Sequence, residues 1–307
     1  MKEFIRSFEE LIQKVKTLEP KTIAVAAAQD EDVLLSVENA RRLGIANAVL
    51  VGDKAEIVKI AAKNNIDVNN FTIIDVQDKE EACRIAVGLV RQGKAALPMK
   101  GFVETPSILK AVLSSEFGLR TGNLISHVGV LEVSGFGRLF LVSDSAMTIA
   151  PTLENKVDII NNSVRVAHAL GIEVPKIAVL CAVENVNAKM PATLDAEMLT
   201  RMNEDGRITG CMVKGPLALD NAVSPEAARH KGINHPVAGN ADILITPDIE
   251  AGNILNKSME YFARAEKAGV LMGAKTPIIL TSRASSDRSK LHSIALGLLI
   301  AAREEMR

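Results

Sequence analysis

An α/β fold with mostly parallel sheets is predicted by three features of the sequence. Short β-branched or apolar runs recur along it, charged segments of helical period lie between most of them, and 307 residues at 48% hydrophobic content suffice for two domains with a sizeable core. Repeated strand–helix alternation implies βαβ units with helices on both faces of a sheet.

Residues 1–20 alternate charges with apolar side chains at helical spacing and lack an uninterrupted hydrophobic stretch, so neither a signal peptide nor a membrane span is expected there. Strand-like runs follow at 22–28, 48–51, 95–99, 128–133 and 139–142, with helix-period segments at 32–43 and 79–91. Two of those strands flank Gly135-Phe136-Gly137, a tight glycine turn that predicts an antiparallel pair. After Pro151, Thr152 is an N-cap for a helix over 154–170; strands at 176–181, 210–213, 243–246 and 278–281 and a helix over 250–264 complete the second half. Leu291, Ile294, Ala295 and Leu298 recur at helical spacing in the last segment, whose apolar run is too short to span a bilayer. The expected division is a discontinuous first α/β/α domain, 1–145 plus 286–307, and a second, 146–285, with a cleft between them.

Composition excludes several function classes. Thirty-six basic residues against 37 acidic ones leave no basic footprint for nucleic acid or an anionic membrane, and eight Phe, one Tyr and no Trp offer little for base stacking. Cys83, Cys181 and Cys211 are dispersed and odd in number, as expected of buried thiols in a reducing, cytoplasmic setting. There is no Walker A loop, no HExxH or other metal-ligand spacing and no GxSxG elbow. GFGRLF at 135–140 leads into a strand, unlike a dinucleotide fingerprint, and His127 and His292 read as hydrogen-bonded structural residues.

What remains is a set of polar turns at strand carboxyl ends, the edge at which open α/β sheets bind ligands. MKGFVET places Lys100, Gly101 and Thr105 between a strand and a helix carrying Lys110; VKGPLALD places Lys214 and Gly215 similarly. ITPDIEAGNILNK carries Asp248, Gly252 and Asn253 into a helix, and TSRASSDRSK sets Ser282, Arg283, Ser285 and Asp287 between the strand at 278–281 and the last helix. Any one of these is ordinary loop and cap chemistry. Four together, offering glycines for close backbone approach, hydroxyls, lysines and helix amino termini, point to an anion site in the cleft.

MKGFVET, GPLALDNAVSPEAA, PVAGNADILITPDIEAGN and ILTSRAS, spread over almost the whole chain, resemble the phosphate acyltransferases, whose acetyl and butyryl members exchange an acyl group between coenzyme A and phosphate. The compact length, the MKG turn and TSRA are most similar to the butyryl branch. The resemblance implies two α/β/α domains of the isocitrate-dehydrogenase-like kind with the active site between them, acyl-CoA and inorganic phosphate as substrates, no metal or other cofactor, and a homo-oligomer. It further implies Ser282 as donor to the oxyanion and Arg283 as a fork for phosphate, with Thr105 and Lys110 near phosphate-contacting positions of the acetyl enzymes. Those enzymes carry an aspartate seven residues after the motif serine; Ser289 stands there in this chain, and Asp287 lies two residues earlier. Asp287 is thus a helix-terminal acid, an ion-pair partner of Arg283 or the base toward the CoA thiol. Two other classes are weighed beside the acyltransferase: a non-catalytic acyl-CoA-binding module of the same fold, against which the intact Ser282-Arg283 pair argues, and a decarboxylating dehydrogenase, which needs an aspartate cluster and a nucleotide loop that are not seen.

Overall fold

A computed structural model describes residues 4–305; residues 1–3 and 306–307, the outer ends of the expected first and last helical segments, lie outside the described residues. The elements run α1 (Phe8–Val15), β1 (Lys21–Ala26), α2 (Glu31–Arg42), β2 (Ala46–Gly52), α3 (Lys54–Lys63), β3 (Thr72–Asp75), α4 (Lys79–Arg91), β4 (Leu97–Lys100), α5 (Thr105–Val112), β5 (Ser126–Glu132), β6 (Leu139–Ser143) and α6 (Leu153–Ala169). They continue with β7 (Lys176–Leu180), α7 (Pro191–Glu204), β8 (Met212–Leu217), α8 (Leu219–Val223), α9 (Pro225–His230), β9 (Ile243–Ile245), α10 (Ile249–Tyr261), β10 (Glu266–Met272), β11 (Ile278–Ile279) and α11 (Asp287–Glu305).

The chain divides into two compact units, a terminal unit of residues 8–123 and 268–305 and a central unit of residues 4–7 and 124–267. In the terminal unit the strand order is β3-β2-β1-β4-β11-β10, parallel throughout except for β10 against β11. The central unit orders its strands β5-β6-β9-β7-β8, with β5 and β6 antiparallel across the glycine turn and the rest parallel. The mixed α/β class expected from the alternation of elements is therefore present, with mostly parallel strands.

Local chemistry explains the helix boundaries that position the strand ends. Asp30, Asp53 and Asp78 each accept a backbone N–H at the start of α2, α3 and α4, where acids follow in the first turn and bases close the last. Thr152 caps α6 in a reciprocal box with Asn155, as the sequence predicts. The last helix is apolar on nearly every side: Ile294, Ala295, Leu296, Leu298, Leu299 and Ile300 are all buried. A helix hydrophobic all round belongs in an interior, and each large side chain so buried contributes about 2 kcal/mol. Gly297 brings α11 within van der Waals reach of Leu97 and Ile279, the latter 3.2 Å from where a Cβ would stand. Among the described residues no helix is long and apolar enough to cross a membrane.

Three expectations are corrected. The division falls at 123/124 and 267/268 rather than at 145/146 and 285/286. β6 pairs in parallel with β9, which keeps the β5–β6 hairpin in the central unit, and β11 pairs with both β4 and β10, which keeps 268–285 in the terminal unit. Strands β3 and β10 were not expected: β3 is a short, incompletely buried edge strand, and β10 opens on Glu266-Lys267, which reads as helix. Finally, α10 stops at Tyr261, three residues early, because the chain turns through Arg264 at φ 54°.

Candidate functional site

In the terminal unit, β4 and β11 run parallel with Met99 beside Ile279, so both end at the same sheet edge. That register brings Lys100, the last residue of β4, and the segment 281–286, which follows β11, to one place. Lys100 is buried, and its ammonium donates to the carbonyls of Gly101 at 3.3 Å and Val103 at 3.0 Å. Burial holds its pKa below the ordinary lysine value, the charges of Arg283 and Lys290 push it further down, and Glu104 and Asp30 oppose them. Two cations, Arg283 and Lys290, and two acids, Glu104 and Asp30, therefore act on Lys100.

Arg283 is solvent-exposed and pairs with Glu104, the residue just before α5, while its guanidinium lies 5.7 Å from the ring of Phe102. Lys79 approaches the same ring at 4.0 Å. Ser282 is exposed as well; its Oγ accepts the Ala284 N–H at 3.3 Å, leaving the hydroxyl proton to be donated elsewhere. The N–H of Ser285 returns to the Ser282 carbonyl at 3.1 Å and closes the turn. Ser285 is buried, and its hydroxyl has no hydrogen-bond partner. Such an unsatisfied buried atom is uncommon in a native structure. Thr105 is the first residue of α5, half-buried, on a helix end that no side chain caps.

Other expected site residues are placed differently. Lys110 is directed at Glu80, 2.8 Å away on the exposed face of α4 and α5, outside the group that acts on Lys100. Asp287 opens α11 and accepts from the Asn39 side chain at 3.4 Å, not from Arg283, and it lines a cavity of about 450 Å³ with Glu9, Asn39, Leu291 and His292. Gly215 lies inside β8 rather than in a turn after it: a Cβ there would stand 2.8 Å from that of Val179 and 2.9 Å from that of Ala196. The glycine allows α7 to pack on the strand, and no ligand is needed to explain it.

In the central unit, Asp248 caps α10 by accepting the Ala251 N–H at 2.8 Å. Asn253 donates to the Ser145 carbonyl at 3.1 Å, and Gly252 lies so near Asp144 O that a side chain there would collide. These residues hold the segment after β6, which sequence reasoning took for a domain boundary. Asp144, buried, accepts from the backbone N–H groups of His127, Ala146, Met147 and Thr148. His127 Nδ1 and Ser145 Oγ are 3.1 Å apart; burial pushes the imidazole pKa down, Asp144 opposes this and Lys267 reinforces it. The available signal was a polar Ser143-Asp144-Ser145 run directly after a buried strand, the same pattern that singled out the other turns.

Cys83 and Cys211 are buried, as expected, whereas Cys181 is only partly buried; burial raises the pKa of all three to about 11. Among the described residues no group of three or more His, Cys, Asp or Glu could hold a metal ion.

Comparison with known proteins gives a consistent result. The family model described as phosphate acetyl/butaryl transferase matches residues 7–85 and 79–298. A phosphate butyryltransferase of Clostridium acetobutylicum is 52% identical over 297 residues, 97% of this chain and 99% of that protein. A phosphate acetyltransferase of Thermotoga maritima is 48% identical over 281 residues, 92% of this chain and 95% of that one. Among solved structures, a branched-chain phosphotransacylase from Enterococcus faecalis V583 superimposes with a TM-score of 0.81 at 35% identity, covering 92% of this chain and 99% of that one. A 4-hydroxythreonine-4-phosphate dehydrogenase from Klebsiella pneumoniae, at 15% identity and a TM-score of 0.55, shares the fold alone.

Proposed function

This chain belongs to the phosphate acetyl/butaryl transferase family, and we propose that it transfers a short-chain acyl group, butyryl by preference, reversibly between coenzyme A and inorganic phosphate. The observation that carries this reading is the pairing of β4 with β11, which sets Ser282, Arg283, Ser285 and Lys100 at one sheet edge. A phosphate oxygen attacks the thioester carbonyl carbon, the new C–O bond forms, and the carbonyl oxygen takes up negative charge. Collapse of that tetrahedral species breaks the C–S bond, releasing CoA thiolate and acyl phosphate. Arg283 exchanges Glu104 for phosphate and orients it through two parallel N–H donors; Ser282 donates to the oxyanion; Lys100 and the Ser285 hydroxyl hold the phosphate charge. No metal or other cofactor enters these steps. We also read the chain as a homo-oligomer of the cytoplasm acting on small molecules rather than on nucleic acid or membrane.

The test is thiol release from butyryl-CoA with and without phosphate. Release is expected only with phosphate and at the same rate in EDTA. Equal release without phosphate means a thioesterase, and acyl-CoA binding with no release means the regulatory module. Running acetyl-, propionyl-, butyryl- and branched acyl-CoA side by side fixes the preferred chain.

The position of Asp287 bears on the proton at sulfur. Its contact with Asn39 and its place in the first turn of α11 support a helix-anchoring role. Asp287→Asn, which preserves shape and can still hydrogen-bond, is therefore expected to change the rate of the acyl phosphate plus CoA reaction by less than about threefold. A base acts otherwise: a fall of roughly 100-fold that eases as pH rises and thiolate forms unaided reverses the assignment.

A further inference from the structure

Lys290 carries a charge where helix position and burial both disfavour one. It lies in the first turn of α11, where the positive end of the helix dipole disfavours a cation, and it is 2% exposed, where desolvation disfavours any charge. Its stem could be matched there by methionine or leucine without either penalty. The contacts of its ammonium explain the choice. Nζ donates to the carbonyl of Ser285, five residues back, and lies 4.0 Å from an Asp32 carboxylate oxygen on α2, a helix against which α11 packs. Ser285 in turn bonds back to Ser282 through its N–H, so the ammonium grips the base of the turn that presents Ser282 and Arg283. A further observation belongs to the same turn: the Ser285 hydroxyl is buried without a partner.

We propose that Lys290 is a positioning residue for the phosphate substrate: it fixes the Ser282–Arg283 turn through the Ser285 carbonyl and places a buried positive charge beneath that turn. The inference rests on the acyl-transfer reading above and names a residue that reading does not use. A position at the first turn of the last helix, directly after the serine-arginine motif, thus adjusts phosphate affinity without touching the acyl group.

Three proteins in the same thiol-release assay, with phosphate and butyryl-CoA varied in turn, decide the matter. Lys290→Met is expected to raise the phosphate KM at least tenfold and to leave the butyryl-CoA KM within twofold, because only the phosphate side of the site is loosened. Lys290→Arg, which keeps the charge and a donor, is expected to recover most of the affinity. Thermal stabilisation by inorganic phosphate, clear in the unsubstituted protein, is expected to vanish in Lys290→Met. A purely structural lysine behaves differently: melting temperature falls while the phosphate KM holds, or both Michaelis constants rise together, and either result overturns the proposal. If Lys290→Met does not fold, Lys290→Gln replaces it with the same criteria. An unsubstituted protein that releases no thiol in phosphate removes the acyl-transfer reading and this inference with it; normal release with an unchanged phosphate KM in the variants removes this inference alone.

Discussion

Arg283→Ala is expected to lower kcat/KM for phosphate by about two to three orders of magnitude, the larger share through a raised phosphate KM. The estimate comes from the bonds lost: two charge-assisted hydrogen bonds to phosphate are together worth about 3–4 kcal/mol, and each 1.4 kcal/mol is about tenfold. The resting partner of Arg283 makes the exchange favourable. Both side chains of the Arg283–Glu104 pair are more than half exposed, 51% and 70%, and such exposed pairs contribute only about 0–1 kcal/mol, so phosphate displaces the carboxylate at little loss. The guanidinium also lies 5.7 Å from the centre of the Phe102 ring, a cation–π contact that does not depend on Glu104. Arg283→Lys retains a point charge but not the planar fork, and it should fall between the two, with kcat more impaired than charge alone accounts for. Initial rates across a phosphate series are the measurement. A folded Arg283→Ala protein with ordinary phosphate saturation makes this residue a surface arginine beside a helix, and the site must then be sought elsewhere on the sheet edge.

The sequence makes the parallel architecture and one edge of the site legible for the same reason: both are written in local patterns. Apolar runs just before Lys100 and Ser282 announce β4 and β11, although β11 stops at Ile279, two residues short of the expected strand, and ligands gather at such ends. Pairing is a non-local property, and it is where local reading fails. Nothing in the residues at 268–285 says that β11 lies beside β4 rather than with the strands of the second half, so the domain limits were misplaced. Glycines illustrate the limit from the other side. Gly215 and Gly252 looked like openings for a ligand, yet the groups they admit are Val179 and Ala196 in one case and Asp144 in the other. A glycine reports that something approaches closely; only the fold identifies it. Lys290 escaped notice because a lysine near a helix start normally reads as a solvated charge, and its burial depends on α2 packing from 250 residues earlier in the chain.

Ser282→Ala should reduce kcat by roughly 100-fold while leaving both Michaelis constants within about twofold, the mark of a group used in the transition state and not before it. The hydroxyl is prepared for that use. Its oxygen accepts the Ala284 N–H, and its proton is free to rotate toward a new acceptor. As the thioester carbonyl becomes an oxyanion, that proton has an acceptor of rising strength, and such a donor contributes about 3 kcal/mol once bound substrate covers the exposed turn and excludes water. Deleting the hydroxyl leaves the Ala284 N–H to solvent on an exposed turn, so the folded state should lose less than about 1 kcal/mol, and any fall in rate belongs to chemistry. The division between the two residues of the pair is thereby open to measurement. Arg283 variants should move the phosphate KM and Ser282→Ala should move kcat alone, in both directions of the reaction, since the same oxyanion is crossed either way. If Ser282→Ala raises the phosphate KM and spares kcat, the hydroxyl is a ground-state phosphate ligand, and the oxyanion must be met by another donor at the same edge.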